Sequence, residues 1–276
     1  MPGIIVDVAD IRERRGRRHR TLFLSDLHLG ASAAQTAAVL EFLDTHEADT
    51  IYLVGDIIDI WRLQSGARWL IAHGEVLNRV LSMLDEGSRV IYVPGNHDAA
   101  LRDCAGMQFG GVEIMREAIH RTADGRRLLV THGDEFDGAA RYAAWKRFAG
   151  DRSYEFVLWC DRPINWARRQ FGLGFWSLSN YAKARVKAAI AFIEDFEAMA
   201  AGEARRRGFD GVICGHIHYP SAKSIGGASY LNCGDWVESC TAIAEDNEGQ
   251  LRLIRWCEHD RQSEPEIACR LVPNAA

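Results

Sequence analysis

Leu22-Phe23-Leu24-Ser25-Asp26-Leu27-His28-Leu29-Gly30 opens as an apolar run and stops at a carboxylate and an imidazole two residues apart. An extended segment turns every second side chain to one side, so the run predicts a buried strand that delivers Asp26 and His28 together, able to grip one metal ion. The arrangement recurs. Ile51-Tyr52-Leu53-Val54 ends in Gly55-Asp56-Ile57-Ile58-Asp59, and Val90-Ile91-Tyr92-Val93 in Pro94-Gly95-Asn96-His97-Asp98. Leu128-Leu129-Val130 ends in Thr131-His132-Gly133-Asp134, and Val212-Ile213-Cys214 in Gly215-His216-Ile217-His218. Open α/β sheets place their sites outside the carboxyl ends of strands, and a glycine beside a ligand lets the backbone approach closely.

Outward from these blocks, the spacing of Ala37, Leu40, Phe42 and Leu43 predicts a helix within 33–46, and 67–85 predicts a second, ended by Gly87. With strands at 51–54 and 90–93 this makes a βαβαβ opening and favours parallel pairing of the first three strands. Glu117–Thr122 and Arg126–Val130, joined by Ala123-Asp124-Gly125, predict a hairpin. Residues 139–207 are mostly helical in pattern, and 211–214 returns to the sheet. Tyr230–Asn232, Cys240–Glu245 and Gln250–Trp256 are expected as further antiparallel strands. The basic run at 12–20 is expected as a solvated loop, with a phosphate-binding patch as the alternative, and the residues beyond Asp260 as a loosely held tail.

The chain has 276 residues, 47% of them hydrophobic, enough for one large α/β domain carrying an insertion at 139–207. A net charge of −5 gives no general pull toward nucleic acid. Seven cysteines, widely spaced and without a Cys-x-x-Cys pair, suggest reduced thiols in a cytosolic protein. Neither a signal peptide nor an apolar stretch of about 18 residues is apparent, so a soluble or peripheral protein is expected.

Asp26, His28, Asp56, Asn96, His132, His216 and His218 are the candidate ligands. They exceed what one transition ion takes, so two ions sharing a carboxylate are expected, with Asp56 as the bridge. Two such cations could hold a hydroxide between them and lower its pKa toward neutrality. His97, beside a ligand but with its own imidazole free, is the candidate to assist the leaving group, and Asp98 the candidate to orient it. Asp59 and Asp134 are supporting candidates, equally readable as helix or turn caps.

The ordered blocks Asp26-x-His28, Gly55-Asp56, Gly95-Asn96-His97-Asp98, His132 and Gly215-His216-x-His218 resemble the calcineurin-like metallophosphoesterase superfamily. The resemblance implies a four-layer α-β-β-α sandwich of mixed sheets and a binuclear centre, commonly manganese, with zinc or iron(II) as alternatives. It puts Asp26, His28, Asp56 and His218 on one metal, and Asp56, Asn96, His132 and His216 on the other. Within the superfamily the chain is similar to the branch of UDP-2,3-diacylglucosamine pyrophosphatases, in its core, in the placing of its insertion and in Asn232-Cys233-Gly234-Asp235-Trp236. That branch implies cleavage of a lipid-linked nucleotide sugar at the cytoplasmic membrane face. Two departures stand out: His97 occupies a position that is typically arginine in the branch, and Glu135-Phe136-Asp137 replaces its Cys-Thr-Asp.

Between Ala139 and Ile190 ten Lys or Arg face three acidic residues, and eleven of the 26 aromatics fall there. A basic, aromatic cap suits an anionic substrate with apolar parts, and peripheral contact with the inner membrane. Alternatives are a phosphodiesterase for a smaller nucleotide, and a non-catalytic scaffold that keeps the fold. Intact ligand blocks and His97 argue against the scaffold.

Overall fold

The computed structural model describes residues 17–137 and 178–256, with side chains from residue 189 onward in the second span. Strand β1 (Arg17–Leu24) is followed by α1 (Thr36–Thr45), β2 (His46–Val54), the short α2 (Ile60–Gln64), α3 (Ile71–Asp85) and β3 (Arg89–Val93). As expected, β1 pairs with β2 and β2 with β3 in parallel. The strands start earlier than their apolar runs. Arg17 and Arg18 pair with His46 and Glu47, so the end of the basic run is strand rather than loop. Ladder hydrogen bonds come from the backbone and do not require apolar side chains.

Strands β4 (Gln108–Phe109) and β5 (Val112–Ile114) extend this sheet on one side. On the other side it gains β11 (Thr241–Glu245) and β12 (Leu251–Arg255), giving the order β12-β11-β1-β2-β3-β5-β4. The second sheet contains the expected hairpin, β6 (Ala118–Arg121) and β7 (Arg127–Val130), then β8 (Gly211–Cys214), β10 (Ala228–Asn232) and β9 (Ser221–Ile225). Tyr230–Asn232 falls in β10, antiparallel as expected to β9, and β9 intervenes in the chain so that β10 runs parallel to β8. Strand β9, Ser-Ala-Lys-Ser-Ile, is a partly exposed edge that packs only Ala222 against the core between the sheets, so it carries no period-two signal.

Alternation along the strands divides the core in two. Phe23, Tyr52, Val54, Ile91 and Val93 of the first sheet meet Leu128, Val130, Ile213 and Leu231 of the second. Their neighbours Leu22, Leu24, Ile51, Leu53 and Val90 face the other way, against Val39, Phe42 and Leu43 of α1 and Val76, Val80 and Met83 of α3. On the second sheet, the last turns of α4 (Leu178–Arg206) bury Ala200, Ala201 and Ala204. They are tied down where Arg205 donates to the Gly226 carbonyl at 2.7 Å and Arg207 pairs with Glu117. The layers are those of a mixed α-β-β-α sandwich.

Contacts divide the chain into two units, Met1–Asp134 with Ala200–Ala276, and Glu135–Met199. In the second, Phe136 and Phe196 meet edge to face at 5.9 Å between centroids. The candidate cap residues from 139 to 177 and the expected tail beyond Asp260 lie outside the described residues. Cys104, Cys214, Cys233 and Cys240 form no disulfide, and the last three are buried. No helix among the described residues is long and apolar enough to cross a membrane.

Candidate metal centre

Strand β1 ends at Leu24, and the chain then does something the period-two reading did not anticipate. Asp26 and His28 both take left-handed backbone, with φ of 54° and 48°, so the segment carrying them turns rather than extends. Asp56 (φ 53°), His216 (72°) and His218 (53°) do the same after β2 and β8. Each such non-glycine residue costs on the order of 1 kcal/mol or more and persists only where the surroundings over-determine it. Here the loops hold one another: Asp26 N–H donates to the Gly55 carbonyl at 3.0 Å, His28 N–H to Asp56 O at 2.9 Å, and Gly215 N–H to His132 O at 3.0 Å.

These turns bring side chains from separate strand ends together. Asp26, His28 and His218 offer atoms within 4.8 Å of one another, and so do Asp26, Asp56 and His132. His218 Nε2 and His28 Nε2 lie 3.3 Å apart, and 3.1 and 3.7 Å from Asp26 Oδ1. His132 Nε2 lies 3.5 Å from Asp56 Oδ2 and 3.2 Å from Asn96 Oδ1, and the His216 ring sits 5.0 Å from the His132 ring. Two glycines make the approach feasible. A Cβ at Gly55, whose φ is 79°, would run into the His132 ring, and one at Gly95 would strike Asp56 Oδ1.

The donor set fits divalent cations. Asp26 Oδ1 is fully buried, and its polar neighbours are the ring nitrogens of His218 and His28 at 3.1 and 3.7 Å, since a buried carboxylate oxygen left alone is costly. Its other oxygen accepts from His216 N–H at 3.0 Å and lies against the Ser25 hydroxyl, which itself donates to Val54 O at 2.6 Å. Burial opposes the charge on Asp56, yet His132 holds its carboxyl down at about 2. Burial likewise opposes charge on His28, but Asp26 and Asp59 push it up to about 10. A pair of buried carboxylates thus creates a strong demand for positive charge, which a cation among these oxygen and imidazole donors meets with the imidazoles neutral.

His97 stands beside this cluster. Its N–H donates to Asp56 Oδ1 at 2.8 Å, and its Nε2 lies 3.9 Å from Asp56 Oδ2. The expectation that Asp98 orients it is corrected: His97 Nδ1 meets Asp59 Oδ1 at 2.9 Å. Asp98 turns the opposite way, as consecutive side chains do, and its carboxylate accepts from Tyr92 OH at 2.5 Å, Gly95 N–H at 2.6 Å and Ile57 N–H at 2.9 Å. Asp98 therefore locks the loop after β2 to the loop after β3. Asp59 fills both of the roles allowed for it, since Oδ1 also accepts from Arg62 N–H at 3.0 Å and caps α2. Asp134 pairs with Arg102 at 2.6 Å, outside the ligand groups.

Three contributors carried no local signal. Trp61 lays its ring 4.3 Å from that of His97 at 32°. Asn232 donates to Gly215 O at 2.7 Å and accepts from Gly234 N–H at 2.9 Å. Asp235 accepts from Val237 N–H at 2.7 Å and places Oδ2 3.8 Å from His218 Nδ1. The latter two lie in the Asn232–Trp236 segment, whose likeness to known sequences was the one available pointer.

A family model described as calcineurin-like phosphoesterase matches residues 19–220. Among curated proteins, UDP-2,3-diacylglucosamine hydrolase of Shewanella sp. (strain ANA-3) is 26% identical over 237 residues, covering 83% of this chain and 95% of that protein. The enzyme of the same name from Shewanella baltica (strain OS195) is 28% identical over 238 residues, with the same coverage of 83% and 95%. Among solved structures, the E. coli phosphoesterase Yfce aligns with a TM-score of 0.44 at 18% identity, over 90% of this chain and 98% of that one. A Vps29 single mutant from Entamoeba histolytica aligns with a TM-score of 0.43 at 16% identity, over 85% and 90%.

Proposed function

The chain belongs to the calcineurin-like phosphoesterase family and is a phosphoester or pyrophosphate hydrolase; from that premise we propose a binuclear centre acting on a lipid-linked nucleotide sugar such as UDP-2,3-diacylglucosamine. Asp26, His28, Asp56 and His218 would hold one divalent ion, and Asp56, Asn96, His132 and His216 the other. Manganese is the expected metal, with zinc or iron(II) as alternatives. When bound, the ions supply Lewis acidity toward a phosphoryl group and a water acidic enough to react near neutral pH. The observation that carries this reading is the convergence of the buried Oδ1 of Asp26 with the ring nitrogens of His28 and His218, beside the second group Asp26, Asp56 and His132.

The protein's own groups then divide the remaining work. Asp59 accepts from His97 Nδ1 and fixes the ring, leaving Nε2 toward Asp56. From there His97 would donate a proton or hydrogen bond to the departing oxygen. Trp61 packs on the same ring and limits its rotation. Asp98, Ser25 and Asn232 act on the loops, holding the ligand-bearing turns in conformations that their residues would not keep alone.

The substrate proposal is supported by the curated relatives, whose names state what they hydrolyse, and by the basic, aromatic composition of 139–190. That stretch would form a helical cap within 139–207, meet acyl chains and membrane phosphates, and keep the protein at the cytoplasmic face of the inner membrane. The test is metal analysis followed by turnover with manganese on UDP-2,3-diacylglucosamine, simple phosphodiesters and cyclic nucleotides. Two bound ions and preference for the lipid substrate are expected. Turnover of the small esters alone would remove the lipid assignment, and a protein that takes up no metal would remove the centre.

A further inference from the structure

An open cavity of about 490 Å³ lies at the opposite ends of the strands from the metal ligands. It is lined by residues of β1, β2, β3, β6 and β7, among them the first residues of β3 and β7, Arg89 and Arg127, and from Thr50 to Asp56 an extended strand spans roughly 20 Å. Four arginines, Arg20, Arg89, Arg121 and Arg127, line it together with a single carboxylate, Asp49. That carboxylate is already engaged by Arg18 at 2.8 Å.

Two of the arginines are fixed by carboxylates; of the other two, Arg127 holds its guanidinium carbon 5.1 Å from the centre of the Phe209 ring, and that guanidinium has no carboxylate partner among the described residues. Arg20 places Nη1 2.7 Å from both oxygens of the buried Glu245, and Arg89 grips Glu113 through Nε and Nη2 at 2.6 and 2.7 Å. Each guanidinium keeps further N–H groups for another acceptor. The Arg121 side chain makes no hydrogen bond or ion pair among the described residues, and Arg127 Nε is buried without a partner. These two stand directly opposite each other in the antiparallel β6–β7 pair, where like charges repel and destabilise. Tyr52 is only 4% exposed and lines the same cavity; burial pushes its pKa up, so its hydroxyl remains a donor.

We infer that this cavity is a second binding site, separate from the metal centre, for a small multiply charged anion of the phosphate class. Its size is that of a small-molecule pocket rather than a macromolecular surface. Planar guanidinium forks suit a group with several oxygens, which can be reached from Arg20 and Arg89 on one sheet and from Arg121 and Arg127 on the other. Occupancy would also screen the facing pair Arg121 and Arg127, so the anion would steady the edge of the second sheet.

Inorganic phosphate is the probe, titrated calorimetrically into manganese-loaded enzyme. Arg121→Gln, Arg89→Gln and Asp56→Asn are compared with the wild type. Arg121 is exposed, so its replacement is expected to leave the fold intact; Arg89→Gln serves as the second variant. Two binding events are expected. One weakens about tenfold or more in each arginine variant and survives in Asp56→Asn, with the other behaving in reverse. A single event, abolished in Asp56→Asn and unchanged in both arginine variants, would overturn the second site.

Discussion

Asp59 spans two imidazoles: Oδ1 lies 2.9 Å from His97 Nδ1, and Oδ2 lies 3.4 Å from His28 Nδ1. One carboxylate at the start of α2 thus orients both a proposed metal ligand and the proposed proton donor. Replacing Asp59 by Ala should lower kcat by about 10- to 100-fold. If Asp59 acts through His97, then Asp59→Ala combined with His97→Ala should cost little more than His97→Ala alone. Steady-state kinetics on the three variants give the answer, and strictly multiplicative losses would separate the two residues.

Asp56 is the carboxylate proposed to be shared between the ions, and it also accepts from His97 N–H at 2.8 Å. Asp56→Ala should lose bound metal and activity together, with turnover falling on the order of a thousandfold or more, about 4 kcal/mol of barrier. Elemental analysis alongside kinetics decides it. A variant retaining one ion and full turnover would contradict the binuclear proposal.

Asp98 is buried and accepts from Tyr92, Gly95 and Ile57. Asp98→Ala strands those donors in the core and should cost roughly 2 to 4 kcal/mol of stability. Urea unfolding measures this directly. Loss of activity without loss of stability would return Asp98 to a role at the reacting groups.

His46, at the start of β2, shares Nδ1 with the Phe42 carbonyl at 3.0 Å, while its Nε2 is buried and unpartnered. Burial, against the pull of that carbonyl, lowers its pKa to about 4. Between the unfolded-state value near 6.5 and about 4, the unfolded chain binds a proton that the folded chain refuses, so stability falls as pH drops through that window. The effect is at most about 3 kcal/mol. Between pH 6.5 and 4 the denaturant midpoint of the wild type should fall more steeply than that of His46→Phe. Parallel curves would exclude His46 as the source.

The blocks ending in Asp26, Asp56, Asn96, His132 and His216 were legible because a strand followed by a ligand is a local pattern, readable from a few consecutive residues. The same holds for the parallel β1–β2–β3 core and the β6–β7 hairpin, which alternation and turn chemistry specify within short windows. Edge strands such as β9 were not legible, since a polar strand is held by its neighbour's backbone and leaves no apolar signature.

What the sequence by itself determined is which residue types arrive at one rim of the sheets, and in what order. Only the tertiary structure decided which atoms face each other there. Asp26 and His28 converge through left-handed turns held by backbone hydrogen bonds from other loops, and His97 takes its partner from Asp59, 38 positions away, rather than from adjacent Asp98. Adjacent side chains diverge while distant loops meet, so hydrogen-bond partners depend on the packing of both sheets and cannot be read from spacing along the chain.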